Sequence, residues 1–302
     1  MNYHELWKYK YKQNRYMELL SNEELEVRKN DIFSNLMILS SEGKILFREI
    51  NSDGKYWMSL WIEILEEFKL RNENYQNNFS KEISILKPDL KTKAKIAIEK
   101  VGGIKDKCIY KYGKYKYNLD SLKNGKFRIS PASSYNDSSL NHAIKDNELV
   151  FDIIHNPKNT SITNTKNNLK INPTSNIKIT HELKTDYYVQ CFSLGYTYRE
   201  FTDFNCDSCL IIYDINKFIQ KINEALYKKR SDFDFDFDTV QYIDPLKYKD
   251  DPIVFFSKHF KYSYQNEFRI VLIPKEPSTN LEEFYIEIGS MEEYAKLIVI
   301  NQ

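Results

Sequence analysis

The chain has 302 residues, 44 basic and 43 acidic, for a formal net charge of +1, with 41% hydrophobic and 15% aromatic side chains. That length predicts two domains, and aromatic rings that each remove about 150–250 Å² from water on burial supply bulk for a sizeable core. Glycine and proline are scarce at 8 each, and neither G-x-G-x-x-G nor G-x-x-x-x-G-K-[ST] occurs, which excludes the glycine-rich dinucleotide fold and the P-loop nucleotide hydrolases.

The first hundred residues read as helices. Ser21-Asn22-Glu23-Glu24 is a capping-box pattern ahead of Leu25, Val27, Ile32, Phe33, Leu36 and Met37 at roughly helical spacing. Asn51-Ser52-Asp53-Gly54 predicts a tight turn, and a helix follows with Trp57, Leu60, Trp61, Ile64, Leu65 and Phe68 on one face. A third helix is predicted over Lys91–Val101, ended by Gly102-Gly103. From Cys108 the texture changes to strands. Cys108–Tyr112 is the first, Asn118 is placed as N-cap of a short helix that Gly125 ends, and Phe127–Ser130 is the second. Asn156–Thr180, poor in large apolar groups, predicts a long surface loop or mobile insertion. Strands resume at Tyr187–Phe192 and Cys209–Tyr213, a helix spans Asn216–Lys228, and Val240–Ile243, Glu267–Ile273 and Phe284–Ile288 complete the set. This mixed order predicts an α+β fold, with a helical accessory region over 1–105 and an α+β domain with a largely antiparallel sheet over 106–302.

Two segments concentrate chemistry. Ser130-Pro131-Ala132-Ser133-Ser134-Tyr135-Asn136-Asp137 puts hydroxyls, a ring and an Asn-Asp turn at a strand end, although these residue types also satisfy their own backbone in Asx turns. In Glu267-Phe268-Arg269-Ile270, strand alternation buries Phe268 and Ile270 and sets Glu267 and Arg269 on the opposite face. There they form either an ordinary ion pair or a site whose carboxylate orients a sugar hydroxyl or meets developing positive charge. The lone Cys206-x-x-Cys209 lacks the second ligand pair of a structural zinc site, and no metal is expected. The run Phe233-Asp234-Phe235-Asp236-Phe237-Asp238 reads as a strand with a solvated acidic edge. Tyr-Lys interleaving at Trp7–Lys12 and Tyr110–Tyr117 suits stacking and charge against single-stranded nucleic acid. No apolar run approaches the roughly 18 residues of a membrane span, and neither a secretion signal nor a disulfide framework is evident. A cytoplasmic protein with reduced thiols and no membrane partner is therefore expected.

Taken in order, Tyr110-Lys111-Tyr112, Ser130-Pro131 with Asn136-Asp137, Cys191-Phe192-Ser193 and Glu267-Phe268-Arg269 resemble the Y-K-Y, S-P-x-x-x-x-N-D, C-F-S and E-x-R motifs of a large bacterial family known as a domain of unknown function. Leu119–Gly125 is similar to a helix typical of that family, and the resemblance covers about residues 108–275. The family is similar in layout to ADP-ribosyltransferases, and several relatives are associated with phage defence or toxin–antitoxin loci. The resemblance implies an ADP-ribosyltransferase-like domain that uses NAD as substrate. Glu267 would bind the ribose hydroxyl and stabilise an oxocarbenium-like transition state, and Ser130 would position that glutamate or the ribose. Tyr110, Lys111 and Tyr135 would stack on nicotinamide or meet the pyrophosphate. Asn136 and Asp137 would shape the loop, and Arg269 belongs to the same cofactor-binding set. The chain departs from the pattern at Gly113, where relatives carry a basic residue suited to phosphate, and at Ser138-Ser139, where a proline and an aromatic are usual.

The implied activity is NAD-dependent ADP-ribosyl transfer in a defence or toxin setting, with a nucleic acid or protein as acceptor and an antitoxin or defence-system protein as partner. Two rivals come from other classes. One is a non-catalytic nucleic-acid or protein-binding module that uses the aromatic-lysine runs. The other is a metal-dependent nuclease built on Asp137, the acidic run and Glu267.

Overall fold

The computed structural model describes residues 2–39, 45–48, 51–75, 88–103, 107–141 and 143–300; the predicted domain junction at 105–106 falls outside them. The leading helices start where side chains cap them. Asn2 accepts from the Glu5 N–H at the start of α1 (Tyr3–Gln13), and Ser21 and Glu24 form the full capping box of α2 (Asn22–Leu36). Asn51, expected in a tight turn, instead caps α3 (Ser52–Leu70) by accepting from the Gly54 N–H. The apolar stripes of α2 and α3 meet Tyr11 and Met17 in one core, which Phe260 enters from far along the chain, stacked on Trp57 at 5.8 Å. Helical periodicity gave no sign of the short hairpin after α2, β1 (Met37–Leu39) with β2 (Ile45–Phe47).

The fourth helix, α4 (Pro88–Glu99), does not join that core. Ala94, Ala97 and Ile98 pack instead against Tyr110, Ile211 and Ile298 of the main sheet. Its exit runs through Gly102 and Gly103 at φ of 102° and 79°, a left-handed backbone that glycine adopts without a Cβ clash.

The main sheet has eight strands: β3 (Ile109–Gly113), β4 (Lys126–Pro131), β9 (Tyr188–Ser193), β10 (Ser208–Ile212), β11 (Phe233–Thr239), β14 (Glu267–Pro274), β15 (Phe284–Glu287) and β16 (Ala295–Val299). Its spine runs β11-β14-β9-β3-β10-β16, all pairs are antiparallel, and β4 carries β15 outward from β9. The fold is therefore α+β with mostly antiparallel pairing, as the element order predicts. Strand β9 pairs with β14 over six residues. On its other side it meets β3 only at Tyr110↔Ser193 and β4 only at Ser130↔Val189 and Pro131↔Tyr188. The sheet splits between these two contacts. On one face Ile109, Phe192, Leu210, Phe268 and Ile270 pack against Phe218 and Ile222 of helix α7 (Ile215–Lys229).

Several local expectations change. Asn118 is not a cap: it sits buried inside helix α5 (Tyr115–Asn124), donating to Lys111 O and Ser208 Oγ, and Lys114 occupies the cap position. Gly125 does end that helix, at φ 64°, where a Cβ would stand 2.2 Å from Gly289 O. The stretch 156–180 is not one long loop. It holds an exposed hairpin, β6 (Ile162–Asn164) with β7 (Leu169–Ile171), and the start of β8 (Ile177–Glu182), which pairs with β5 (Val150–His155). Alternating Ile and Thr residues pair there without burying much surface, so composition alone hid the strands. The Phe-Asp run is β11, an edge strand that pairs with β14 on one side and leaves Asp234, Asp236 and Asp238 exposed. The remaining pair, β12 (Gln241–Ile243) with β13 (Ser257–His259), is parallel.

The α1–α3 layer is held to the sheet domain by polar anchors. Arg28 binds Asp244 through two nitrogens at 3.0 and 2.6 Å, with both groups buried, and Lys247 reaches Glu63 at 2.9 Å. Arg199 donates to Ser34 O, and Asn35 donates to Lys261 O. Among the described residues no helix is long and apolar enough to cross a membrane.

Candidate functional site

Glu267 is the first residue of β14. Asn266, at φ 45°, turns the chain out of the preceding 3₁₀ turn and into the strand. The Glu267 N–H donates to Tyr242 Oη at 2.8 Å and its carbonyl accepts from the Val240 N–H at 3.0 Å, so the backbone is fixed on both sides. The carboxylate meets Lys258 Nζ at 3.3 Å and Arg269 Nη2 at 3.1 Å. Arg269, on the same strand face two residues on, is fully enclosed and also binds Glu148 at 2.7 Å. Lys258 donates to Gln265 Oε1 at 3.0 Å, and Gln265 in turn donates to Ala143 O.

Two carboxylates and two cations thus share one buried cluster. Burial drives the Glu267 carboxyl up, but Lys258 and Arg269 together outweigh it and hold the group at about 2, fully ionised. Glu148, also buried and facing the same cations, moves the other way, because burial dominates over Arg269 and Lys258. Glu148 draws on both cations, so neither of them neutralises Glu267 alone.

The register across three strands places Tyr110, Ser193 and Glu267 side by side. Above this row opens a cavity of about 340 Å³ whose wall includes Tyr110, Tyr135, Cys191, Ser193, Glu200 and Glu267. A second cavity, of about 450 Å³, adjoins it and is lined by Ser130, Tyr117, Phe127, Gln190 and Tyr285. The two share Lys111, Tyr112, Gly113, Lys114, Arg128 and Tyr135. Three of these six are cationic and none is acidic.

Lys111 shows how the split in the sheet makes this waist. Where β9 lacks a ladder partner, the Lys111 ammonium donates to Cys191 O at 3.0 Å and lies 5.2 Å from the Phe192 ring centroid. The Gln190 amide, turned so that its nitrogen donates to Arg128 O, offers Lys111 its oxygen. No carboxylate pairs with this ammonium among the described residues, and burial lowers its pKa.

The positions singled out in the sequence are distributed as follows. Glu267, Tyr110, Lys111 and Tyr135 line the first cavity. Tyr110 packs on Tyr196 at 5.8 Å, and burial pushes its phenol up to about 12. Ser130, paired with Val189, lines the second cavity rather than the wall beside Glu267. Arg269 stands behind Glu267 and is absent from both walls. Asn136 and Asp137 are exposed at the end of a 3₁₀ turn and line neither cavity; Asp137 accepts from the Ser139 N–H at 2.8 Å, an Asx turn. The loop is pinned by Asp186, which accepts from Ser133 Oγ and from the Ser133 N–H. Among the described residues no three His, Cys, Asp or Glu side chains gather as metal ligands.

Lys258, Glu148, Gln265, Glu200 and Arg128 also belong to the site and went unmarked in the sequence. They come from separate elements and share no spacing. The one available cue was Lys258 between Ser257 and His259 in a strand otherwise followed by Phe260, and it is faint. No family model matches the chain, and no curated protein or solved structure matches it.

Proposed function

We propose that the chain is an ADP-ribosyltransferase that uses NAD, with an ADP-ribosyltransferase-like domain around the split sheet, acting in a defence or toxin setting. The observation that carries this reading is Glu267: an ionised carboxylate, 8% exposed, set in the wall of a ring-lined cavity and gripped from behind by Lys258 and Arg269. Such a charge is useful where positive charge develops on a sugar.

The residues suit the ligand at three points. Tyr110, Tyr112 and Phe204 bring rings to the first cavity, and Tyr117 and Tyr285 bring rings to the second. Lys111, Lys114 and Arg128 stand between them. Two flat rings joined by a diphosphate match that order, and Arg128 supplies the guanidinium fork that Gly113 cannot. NAD supplies a sugar carbon already attached to a good leaving group, neutral nicotinamide. Glu267 accepts a hydrogen bond from a ribose hydroxyl and sets its negative charge beside that carbon as the bond to nitrogen lengthens. Lys258, Arg269 and Glu148 hold the carboxylate in place, so no reorganisation is needed at that moment.

The acceptor in this reading is a nucleic acid. Helix α5 leads off the waist with Tyr115 and Tyr117 exposed beside Lys114 and Lys116, a stacking and charge surface next to the cavity mouth.

The test is nicotinamide release from NAD by the purified chain. Glu267→Gln is expected to lower it by at least about 100-fold, the scale of losing one charge-stabilising group, with thermal unfolding still cooperative. Undiminished release by that variant would overturn the reading. Absence of release by the parent chain, with oligonucleotide binding that falls steeply with salt, would favour the binding module instead.

A further inference from the structure

A second carboxyl lies in the wall of the first cavity, and it differs from Glu267 in every respect that matters. Glu200 belongs to helix α6 (Tyr198–Asp203), which lays Phe201 against Tyr112 with ring centroids 5.0 Å apart. Its side chain is 0% exposed, and no cation meets it: the neighbouring Arg199 turns away to Asp203 at 3.0 Å and to Ser34. Its one contact is between Oε1 and Ser193 Oγ, at 3.0 Å, and Oε2 has no hydrogen-bond partner among the described residues.

The Ser193 hydroxyl identifies where the proton sits. It has one hydrogen and three acceptors in reach: Gln265 O at 2.8 Å, with Gly195 O and Glu200 Oε1 both at 3.0 Å. With that hydrogen on Gln265 O, the shortest contact, the contact to Glu200 is closed by the carboxyl's own proton on Oε1. Oε2 is then a bare carbonyl oxygen, buried and unsatisfied. Leaving such an acceptor unmet costs about 1–3 kcal/mol, unless a ligand brings a donor. Burial without a cation favours the same neutral form, with Ser193 acting against it and the charges of Glu267 and Asp203 adding to it.

We propose that Glu200 is a ligand-binding residue whose Oε2 accepts an amide N–H, so that the part of the cavity under α6 receives an aromatic carboxamide. A hydroxyl donor would go to the ionised Glu267, much the stronger acceptor. A cationic donor would meet no negative charge at Glu200. What fits a neutral acceptor beside Tyr112 and Phe204 is a flat, neutral ring bearing a primary amide, and in NAD that group is nicotinamide. The assignment rests on the cavity being an NAD site.

Binding measured by calorimetry separates the two ideas. The probes are NAD and its 3-acetylpyridine analogue, in which a methyl ketone replaces the amide. The parent chain is expected to bind NAD about tenfold more tightly than the analogue, equivalent to about 1.4 kcal/mol. Glu200→Gln, which keeps a neutral acceptor oxygen, is expected to retain both the affinity and the preference. Glu200→Leu is expected to bind both dinucleotides with equal, reduced affinity. A Glu200→Leu variant that keeps the full preference would overturn the assignment and leave the NAD reading intact. A more than tenfold loss of NAD binding in Glu200→Gln would overturn it too, because the carboxylate form would then be needed; that variant decides the matter even where Glu200→Leu fails to fold. Binding of neither dinucleotide by the parent chain would remove the reading on which the assignment rests.

Discussion

Glu267 and Glu200 illustrate how surroundings rather than residue type decide a side chain's chemistry. Both are buried carboxyls of one cavity, yet Glu267 has Lys258 and Arg269 within 3.3 Å and stays ionised, whereas Glu200 has only a serine hydroxyl. Pairs driven apart in this way divide charge and proton between them. The division has a consequence for stability. Burial raises the folded-state pKa of Glu200 above its ordinary value of 4.5, so folding at neutral pH takes up a proton that the unfolded chain lacks. The contribution is favourable below that value and is lost as pH rises. Glu200→Gln removes the linkage, and its melting temperature should exceed that of the parent at pH 7.5, with the gap closing toward pH 4.5. Equal gaps at both pH values would show that Glu200 is ionised in the folded state. Alternation along β14 made Glu267 and Arg269 legible as neighbours on one face. Lys258, Glu148 and Glu200 stayed hidden, because each reaches the cavity from a different element.

Elements were legible wherever local chemistry starts or stops them. The capping box at Ser21 and the left-handed Gly125 act within one turn and need no tertiary partner. Errors arose where distant contacts assign a residue's task. Asn118 has a capping side chain, but the carbonyl of Lys111 and the hydroxyl of Ser208 claim it inside α5. Phe260 is the strongest such case. It lies on a 3₁₀ turn between two strands, and its ring fills the helical core between Trp57 and Arg28, 4.9 Å from the guanidinium. Phe260→Ala should therefore destabilise the protein by about 3–5 kcal/mol in denaturant titrations, the usual loss for a large buried ring. A loss under about 1 kcal/mol would mean that the α1–α3 layer does not depend on this plug.

At the scale of the whole molecule, the helical layer and the sheet domain meet through buried polar groups, and His259 lies at that junction. Burial, with nearby Lys261, depresses its pKa from 6.5 to about 3, and its Nδ1 accepts from the Lys261 N–H. The unfolded chain protonates this histidine below about 6.5 while the folded chain does not, so stability present above that pH is lost as pH falls toward 3. One such group gives at most about 1.4 kcal/mol per pH unit. Urea unfolding between pH 7.5 and 5 should show this decline, and His259→Asn should flatten it. An unchanged slope in the variant would assign the acid sensitivity elsewhere. Sequence alone was enough for the α+β class, the cap-bounded helices and the alternating strands, because each depends on residues within a few positions of one another. It was also enough to rule out a glycine-rich phosphate loop. Tertiary structure decided the split beside β9, the basic waist between two cavities, and the opposite states of Glu267 and Glu200. Those features depend on which charges and hydrogen-bonding groups the fold brings within 3–4 Å, and local patterning carries no record of partners more than a hundred residues away.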